Sequence, residues 1–411
     1  MPATPLLVVG NGMAGQRLLA ELAACGAARG AVAVGAEPHP AYNRILLSKV
    51  VAGETTSDAI CLAPRDWYKQ HGIDLLTGDP VVDIDRVERS ATTASGRTIV
   101  YDKLVLATGS RPIRLPLPGA DLEGVVTFRD RSDADLLGAA PSGANAVVIG
   151  GGLLGLEAAA GLAARGLKVA LVHLMPDLME RQLDAAAASL LADAVAARGI
   201  SLHLAARTQA ILGEGGKVRA VRLADGAELA ADLVVLAVGV APETALARKA
   251  GISCARGILV DDGLATSDPA IFALGECIEH RGQTFGLVGP IWDQARVLAV
   301  RLCGGTALYE GSSMATSLKV SGVDLYSAGT VRAAEDAETL VFADPAARIY
   351  RKLALRDGRL VGAVLYGDAA DGPWFADLIA AQTDVGAWRD VLIFGRDYVA
   401  SAPVELREAA E

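Results

Sequence analysis

The chain has few aromatic residues, no excess of cations and no paired cysteines, and each shortage removes a class of function. Its five cysteines, Cys25, Cys61, Cys254, Cys277 and Cys303, lie far apart in sequence, with no CxxC pair and no metal-ligand spacing. A disulfide scaffold and a metal centre are therefore not expected, and a reducing cytoplasm fits best. Lys and Arg number 38 against 48 Asp and Glu, for a formal net charge of -10. With no basic surplus to release counterions, nucleic acid is not an expected partner. The opening MPATPLLVVGNG lacks a basic stretch before its apolar run, and glycines soon interrupt that run, so no signal peptide is expected. Only one stretch is long and apolar enough to suggest a membrane span, from Asn145 to Leu162. Glu157 and three consecutive glycines break it, and a strand followed by a helix explains it better.

What is present is ample apolar material. Hydrophobic residues make up 52% of 411 and charged residues 21%, enough for two or three domains with their own cores. The first segment, PLLVVGNGMAGQRLLAELAACG, reads as strand, glycine turn and amphipathic helix, and AVAVGAEP as a second strand. Gly10, Gly12 and Gly15 form GxGxxG: the first permits a tight turn, the second lets a pyrophosphate approach the backbone, and the third brings helix against strand. Glu37, at the end of the second strand, suits the two hydroxyls of an adenosine ribose. The pattern returns at NAVVIGGGLLGLEAAAGLAARGLKVALVHLMP with Gly150, Gly152 and Gly155. Here the strand ends in His173, so the usual carboxylate for a nucleotide ribose is missing; His173 is either part of that nucleotide site or an ordinary strand-end histidine. Two closing segments also repeat: YDKLVLATGSRP, with Thr108 and Gly109, and ADLVVLAVGVAPE, with Gly239. Together these predict two nucleotide-binding units in tandem.

These residues resemble the two-dinucleotide-fold flavoproteins, in which FAD sits on the first unit and NAD(P)H on the second. The stretch TSDPAIFALGECIEH is similar to the second flavin motif of that family, with Glu276 where the family more often has Asp. A narrower likeness spans essentially the whole chain. The segments AEPHPAYNRILLSKVVAGE, DWYKQHGIDLLTGDPV, HLMPDLMERQLD, GLVGPIWDQARVLA, ATSLKVSGVDLYSAG and RKLALRDGRLVGAVLYGD resemble the flavin and NADH module of assimilatory nitrite reductase large subunits. They equally resemble the electron-transfer subunits of assimilatory nitrate reductases. The resemblance implies an α/β architecture of tandem Rossmann-like FAD and NAD(P)H domains plus a small α+β C-terminal interface domain. The expected boundaries are 1–116 and 248–312 for the FAD domain, 117–247 for the NAD(P)H domain and 313–411 for the interface domain. Asp357 and Gly358 give a hairpin signal within the last.

The same resemblance implies roles for further residues. Lys49 matches a lysine that approaches flavin N5, where a cation would stabilise reduced flavin; its plain alternative is a solvent-facing helix lysine. Arg44 is either a donor to the FAD diphosphate or ring, or half of a surface ion pair. Glu157 matches an acid near the nicotinamide that would pair with Lys49, or it is a first-turn carboxylate favoured by the helix dipole. Trp292 and Gln294 lie on a helix whose N-terminus would face the flavin pyrimidine edge, and Trp292 is equally suited to core packing. No cysteine sits beside the first flavin helix, so disulfide and peroxide chemistry are not expected. The cysteines that would hold an iron–sulfur cluster are absent too, and nitrite reduction itself would require a further catalytic region.

The leading expectation is an NADH-oxidising, FAD-bearing electron-transfer subunit, NADPH remaining possible, that feeds a molybdenum-containing nitrate reductase subunit. A freestanding reductase for ferredoxin or rubredoxin is the alternative, and a slowly reacting redox-signalling flavoprotein is a third reading.

Overall fold

A computed structural model describes residues 4–312, 315–320, 322–332 and 337–401. Three bodies of secondary structure follow one another along the chain. In the first, the apolar run Thr4–Val9 is the centre of a parallel sheet, flanked by Val32–Gly35 and then Asp74–Thr77 on one side and by Thr98–Leu106 on the other. Leu7, Val8, Leu104 and Val105 are fully buried, as strands covered on both faces must be. The strand Ile271–Ala273 completes this sheet by pairing in parallel with Leu104–Leu106. The first body is therefore closed by residues that come after the second.

The second body repeats the plan. Its five strands are all parallel, in the order Ser201–His203, Lys168–Val172, Asn145–Ile149, Leu233–Leu236 and Val125–Thr127. The suspect segment from Asn145 is thus a buried strand, a glycine turn and the helix Leu153–Ala164. Among the described residues no helix is long and apolar enough to cross a membrane.

The third body is a five-stranded antiparallel sheet built from residues 315–366, with the helix Gly372–Ala381 packed on it. Asp357 and Gly358 form its two-residue turn between Arg356 and Arg359, both with positive φ. This sheet rests on the second body. The Tyr350 hydroxyl donates to Asp184 Oδ2 at 2.7 Å, Lys352 Nζ lies 3.2 Å from the same oxygen, and the Tyr366 hydroxyl donates to the Leu190 carbonyl at 3.0 Å. Asp184 is also the N-cap of the helix Ala185–Ala196, accepting from Ala187 N. One apolar core joins Leu47 and Val51 of the first body, Leu156 and Leu162 of the second, and Leu325 and Tyr366 of the third.

Candidate functional site

Both glycine turns are built to the same tolerance. Gly10 has φ +112 and Gly150 has φ +125, and a Cβ on either would stand 2.1 or 2.2 Å from the carbonyl oxygen of Ala107 or Ala237. Each turn is thus pressed against its own closing strand. Gly15 and Gly155 let the helices start directly over the turns, since a Cβ there would meet the Gly10 or Gly150 carbonyl at 2.0 or 1.9 Å. A Cβ on Gly12 or Gly152 would meet nothing within 4 Å, which leaves the room a phosphate needs to reach backbone N–H groups at a helix start. The closing segments then pair with one another: Ser110–Pro112 runs antiparallel to Val240–Pro242. Thr108 Oγ1 donates to the Glu243 carbonyl at 2.8 Å, and Gly239, at φ +111, accepts from Ile113 N.

A cleft opens between the first and second bodies. Its floor is the first glycine turn with Glu37, Thr108 and Gly109; Glu276 and Trp292 form one wall, and Leu153, Leu154 and Glu157 enter from the second body. Glu37 accepts from the Tyr42 hydroxyl at 2.7 Å and from Arg44 Nη2 at 2.8 Å, while Arg44 Nη1 also donates to the Arg129 carbonyl. Arg44 is thus half of an ion pair, and that pair lines the cleft. Glu276 accepts from the Ser110 hydroxyl at 2.7 Å and pairs with Arg129. The lining also contains buried donors without a partner in the protein, Asn11 Nδ2 and Arg129 Nε. Unpaired buried donors are costly unless something accepts from them. A ligand with many acceptor oxygens, as FAD has along its diphosphate and ribityl chain, fits this lining.

Glu157 is the most perturbed acid of the cleft. Burial pushes its pKa up from 4.5 to about 7, and a hydrogen bond with the Ser48 hydroxyl pulls it only partway back. It does not pair with Lys49. The short helix Leu47–Ala52 lies against Leu153–Ala164 so closely that a Cβ on Gly161 would touch Val51, and that contact turns Ser48 toward Glu157. Lys49, one residue on and about 100° round the helix, is exposed and outside the cleft lining. The expected Lys49–Glu157 pair is therefore replaced by Ser48–Glu157.

The remaining positions divide. Trp292 does line the cleft, on the helix Val288–Leu302, with the Arg17 guanidinium 5.4 Å from its ring centroid. Gln294 is fully buried and accepts from Gly275 N at 2.8 Å, so it holds the turn that carries Glu276. His173 is buried beside the second glycine turn: its Nδ1 accepts from Gly151 N at 3.0 Å and its Nε2 faces Glu180 at 3.2 Å. Arg129, Ser110, Asn11 and Ser48 escaped the sequence reading. Ser110 and Asn11 sit inside or beside recognised motifs, whereas Arg129 belongs to no motif. Cys25 and Cys303, far apart in sequence, are both free and bring their sulfurs within 3.2 Å on the surface, a proximity that sequence spacing does not show. Among the described residues no group of three or more His, Cys, Asp or Glu could hold a metal ion.

Known proteins share this architecture. A family profile described as pyridine nucleotide-disulphide oxidoreductase matches residues 4–295, and one described as rubredoxin NAD+ reductase C-terminal domain matches 315–383. The chain is 46% identical to a nitrite reductase [NAD(P)H] of Bacillus subtilis over 92% of its own length and 48% of that protein's. It is 41% identical to the assimilatory nitrate reductase electron transfer subunit of the same organism, over 94% of this chain and 51% of that one. The chain thus spans about half the length of these relatives. A ferredoxin reductase structure from Rhodopseudomonas palustris superimposes with a TM-score of 0.84 at 31% identity, covering 99% of this chain and 100% of that chain. With two glycine turns of the same build, one on each of the cleft's two bodies, and a family match over most of its length, the chain belongs to the pyridine nucleotide-disulphide oxidoreductases, enzymes that use FAD and NAD(P)H.

Proposed function

We propose that this chain takes hydride from NADH, with FAD held on the first body and the nicotinamide nucleotide on the second. We further propose that it passes the electrons to a redox protein, the molybdenum-containing subunit of an assimilatory nitrate reductase. The observation that carries the reading is the single cleft in which Gly10, Glu37 and Glu276 of one body face Leu153, Leu154 and Glu157 of the other. FAD, when bound, supplies the capacity to accept a hydride and release electrons one at a time. The protein groups position it. Gly12 and the start of the helix Met13–Ala24 suit the diphosphate, Glu37 the adenosine ribose, and Glu276 with Ser110 and Arg129 the ribityl side. Leu153 and Leu154 exclude water where the nicotinamide would stack, and Glu157, at about 7, holds or releases a proton there near neutral pH.

The choice of acceptor rests on the likeness to the Bacillus subtilis electron transfer subunit. A freestanding ferredoxin or rubredoxin reductase is the second reading, favoured by the full-length match to the Rhodopseudomonas palustris ferredoxin reductase and by the C-terminal domain match. Anaerobic stopped-flow mixing of the FAD-loaded chain with NADH tests the first step through bleaching of the flavin absorbance. Reoxidation by nitrate only when a molybdenum subunit is added supports the first acceptor. Reoxidation by ferredoxin or rubredoxin alone supports the second, and failure of NADH and NADPH to bleach the flavin refutes both.

A further inference from the structure

The second nucleotide unit lacks an acid at the end of its second strand, yet a carboxylate stands beside that place. Val172 closes the strand Lys168–Val172, and His173 follows it with only 8% of its surface exposed. The ring is clamped to the glycine turn: a Cβ on Gly151 would come within 2.6 Å of it, and Nδ1 accepts the Gly151 N–H. An Nδ1 that accepts carries no proton, so Nε2 is the protonated nitrogen and donates to Glu180 Oε2 at 3.2 Å. The chain between them is folded back onto the same turn. Met179 N donates to the Gly151 carbonyl at 3.0 Å, Leu178 and Met179 are buried, and Met179 takes the left-handed φ of +51 that ordinary residues avoid. The result of that local cost is one carboxylate, with 28% of its side chain exposed, fixed at the edge of the glycine turn.

We infer that Glu180 takes the part of the missing strand-end acid, accepting from the adenosine ribose hydroxyls of the nicotinamide nucleotide, with His173 as the positioning residue that holds it. This rests on the proposed nucleotide site of the second body. A 2'-phosphate would meet this carboxylate as a like charge, so the arrangement selects NADH over NADPH. Arg181, the next residue, is exposed.

The test is isothermal titration of the FAD-loaded protein with NAD+ and with NADP+, which reads binding without turnover. The Glu180→Gln variant, which keeps the side-chain volume, is expected to bind NAD+ about tenfold more weakly, the usual effect of losing a charged acceptor. NADP+ binding should be unchanged or tighter, so the NAD+ preference collapses. In a His173→Gln background the same change should have a clearly smaller effect, because the carboxylate is no longer held. The NADH concentration that half-saturates flavin reduction should rise in Glu180→Gln by a similar factor. An unaltered NAD+ to NADP+ ratio in Glu180→Gln overturns the inference while leaving the nucleotide site intact. Absence of binding of either nucleotide by the wild-type protein would instead overturn the reading of the second body.

Discussion

Replacing Glu157 by Gln should make the protein more stable, and by an amount that depends on pH. The carboxyl is held by burial at about 7, against 4.5 when free. Between those two values the folded chain keeps a proton that the unfolded chain releases, so stability falls as pH rises through this window and is level above it. At about 1.4 kcal/mol for each pH unit of displacement, ionised Glu157 costs the folded state roughly 3 kcal/mol above pH 7. Glutamine carries no charge to bury, and its carbonyl can still accept from the Ser48 hydroxyl. Urea unfolding of wild type and Glu157→Gln, each corrected for its own measured FAD affinity, should show curves nearly coincident near pH 5. The variant should lead by roughly 3 kcal/mol at pH 8. A gap that is the same at both values, or a variant less stable at pH 8, refutes the burial argument. The same substitution should flatten the pH profile of flavin reduction by NADH around pH 7, read by stopped flow.

Other expectations follow from single contacts. Arg129→Met removes the partner of Glu276 and leaves that mostly buried carboxylate unpaired; the purified variant should retain less flavin, seen as a lower ratio of visible to protein absorbance. Gly155→Ala places a methyl group 1.9 Å from the Gly150 carbonyl and should cost several kcal/mol or prevent nucleotide binding altogether, measured by thermal unfolding and NAD+ titration. Tyr350→Phe deletes the hydroxyl that donates to Asp184 and should lower stability by about 1 kcal/mol while leaving the flavin cleft untouched. Hydrogen peroxide should join Cys25 to Cys303, with two hydrogens lost from the chain and two waters released per bond. Intact mass and a fall in free thiols would register this, and neither should change in Cys303→Ser.

The parts of this molecule that could be read from sequence are those whose constraints are local. A Cβ on Gly10, Gly15, Gly150 or Gly155 would stand 1.9 to 2.2 Å from a backbone carbonyl oxygen, which no side chain allows, so the motif carries its own structural reason. The strand runs around Leu7 and Val147 are apolar throughout because both sheet faces are covered. What could not be read depends on how bodies meet. Whether residue 48 or 49 of a two-turn helix faces Glu157 is decided by the packing at Gly161, and the residues from 47 to 52 do not contain that information. Arg129 reaches Glu276 across 147 positions from a loop of the second body. Glu180 lies seven positions beyond the strand end, and only the fold of the loop after His173 brings it back beside that histidine.

The late return of Ile271–Ala273 to the first sheet has a bearing on synthesis. The second body, whose strands run without interruption from Val125 to Leu236, contains all of its own sheet and can fold as soon as those residues leave the ribosome. The first body cannot: its outer strand, Glu276 and the helix Val288–Leu302 are all translated afterwards. During that interval the half-sheet from Thr4 to Leu106 presents an open edge along Leu104–Leu106, the kind of edge that invites pairing with a neighbouring nascent chain. The unit encoded first is thus completed only after the second, and its cleft is whole only once nearly three quarters of the polypeptide has been made.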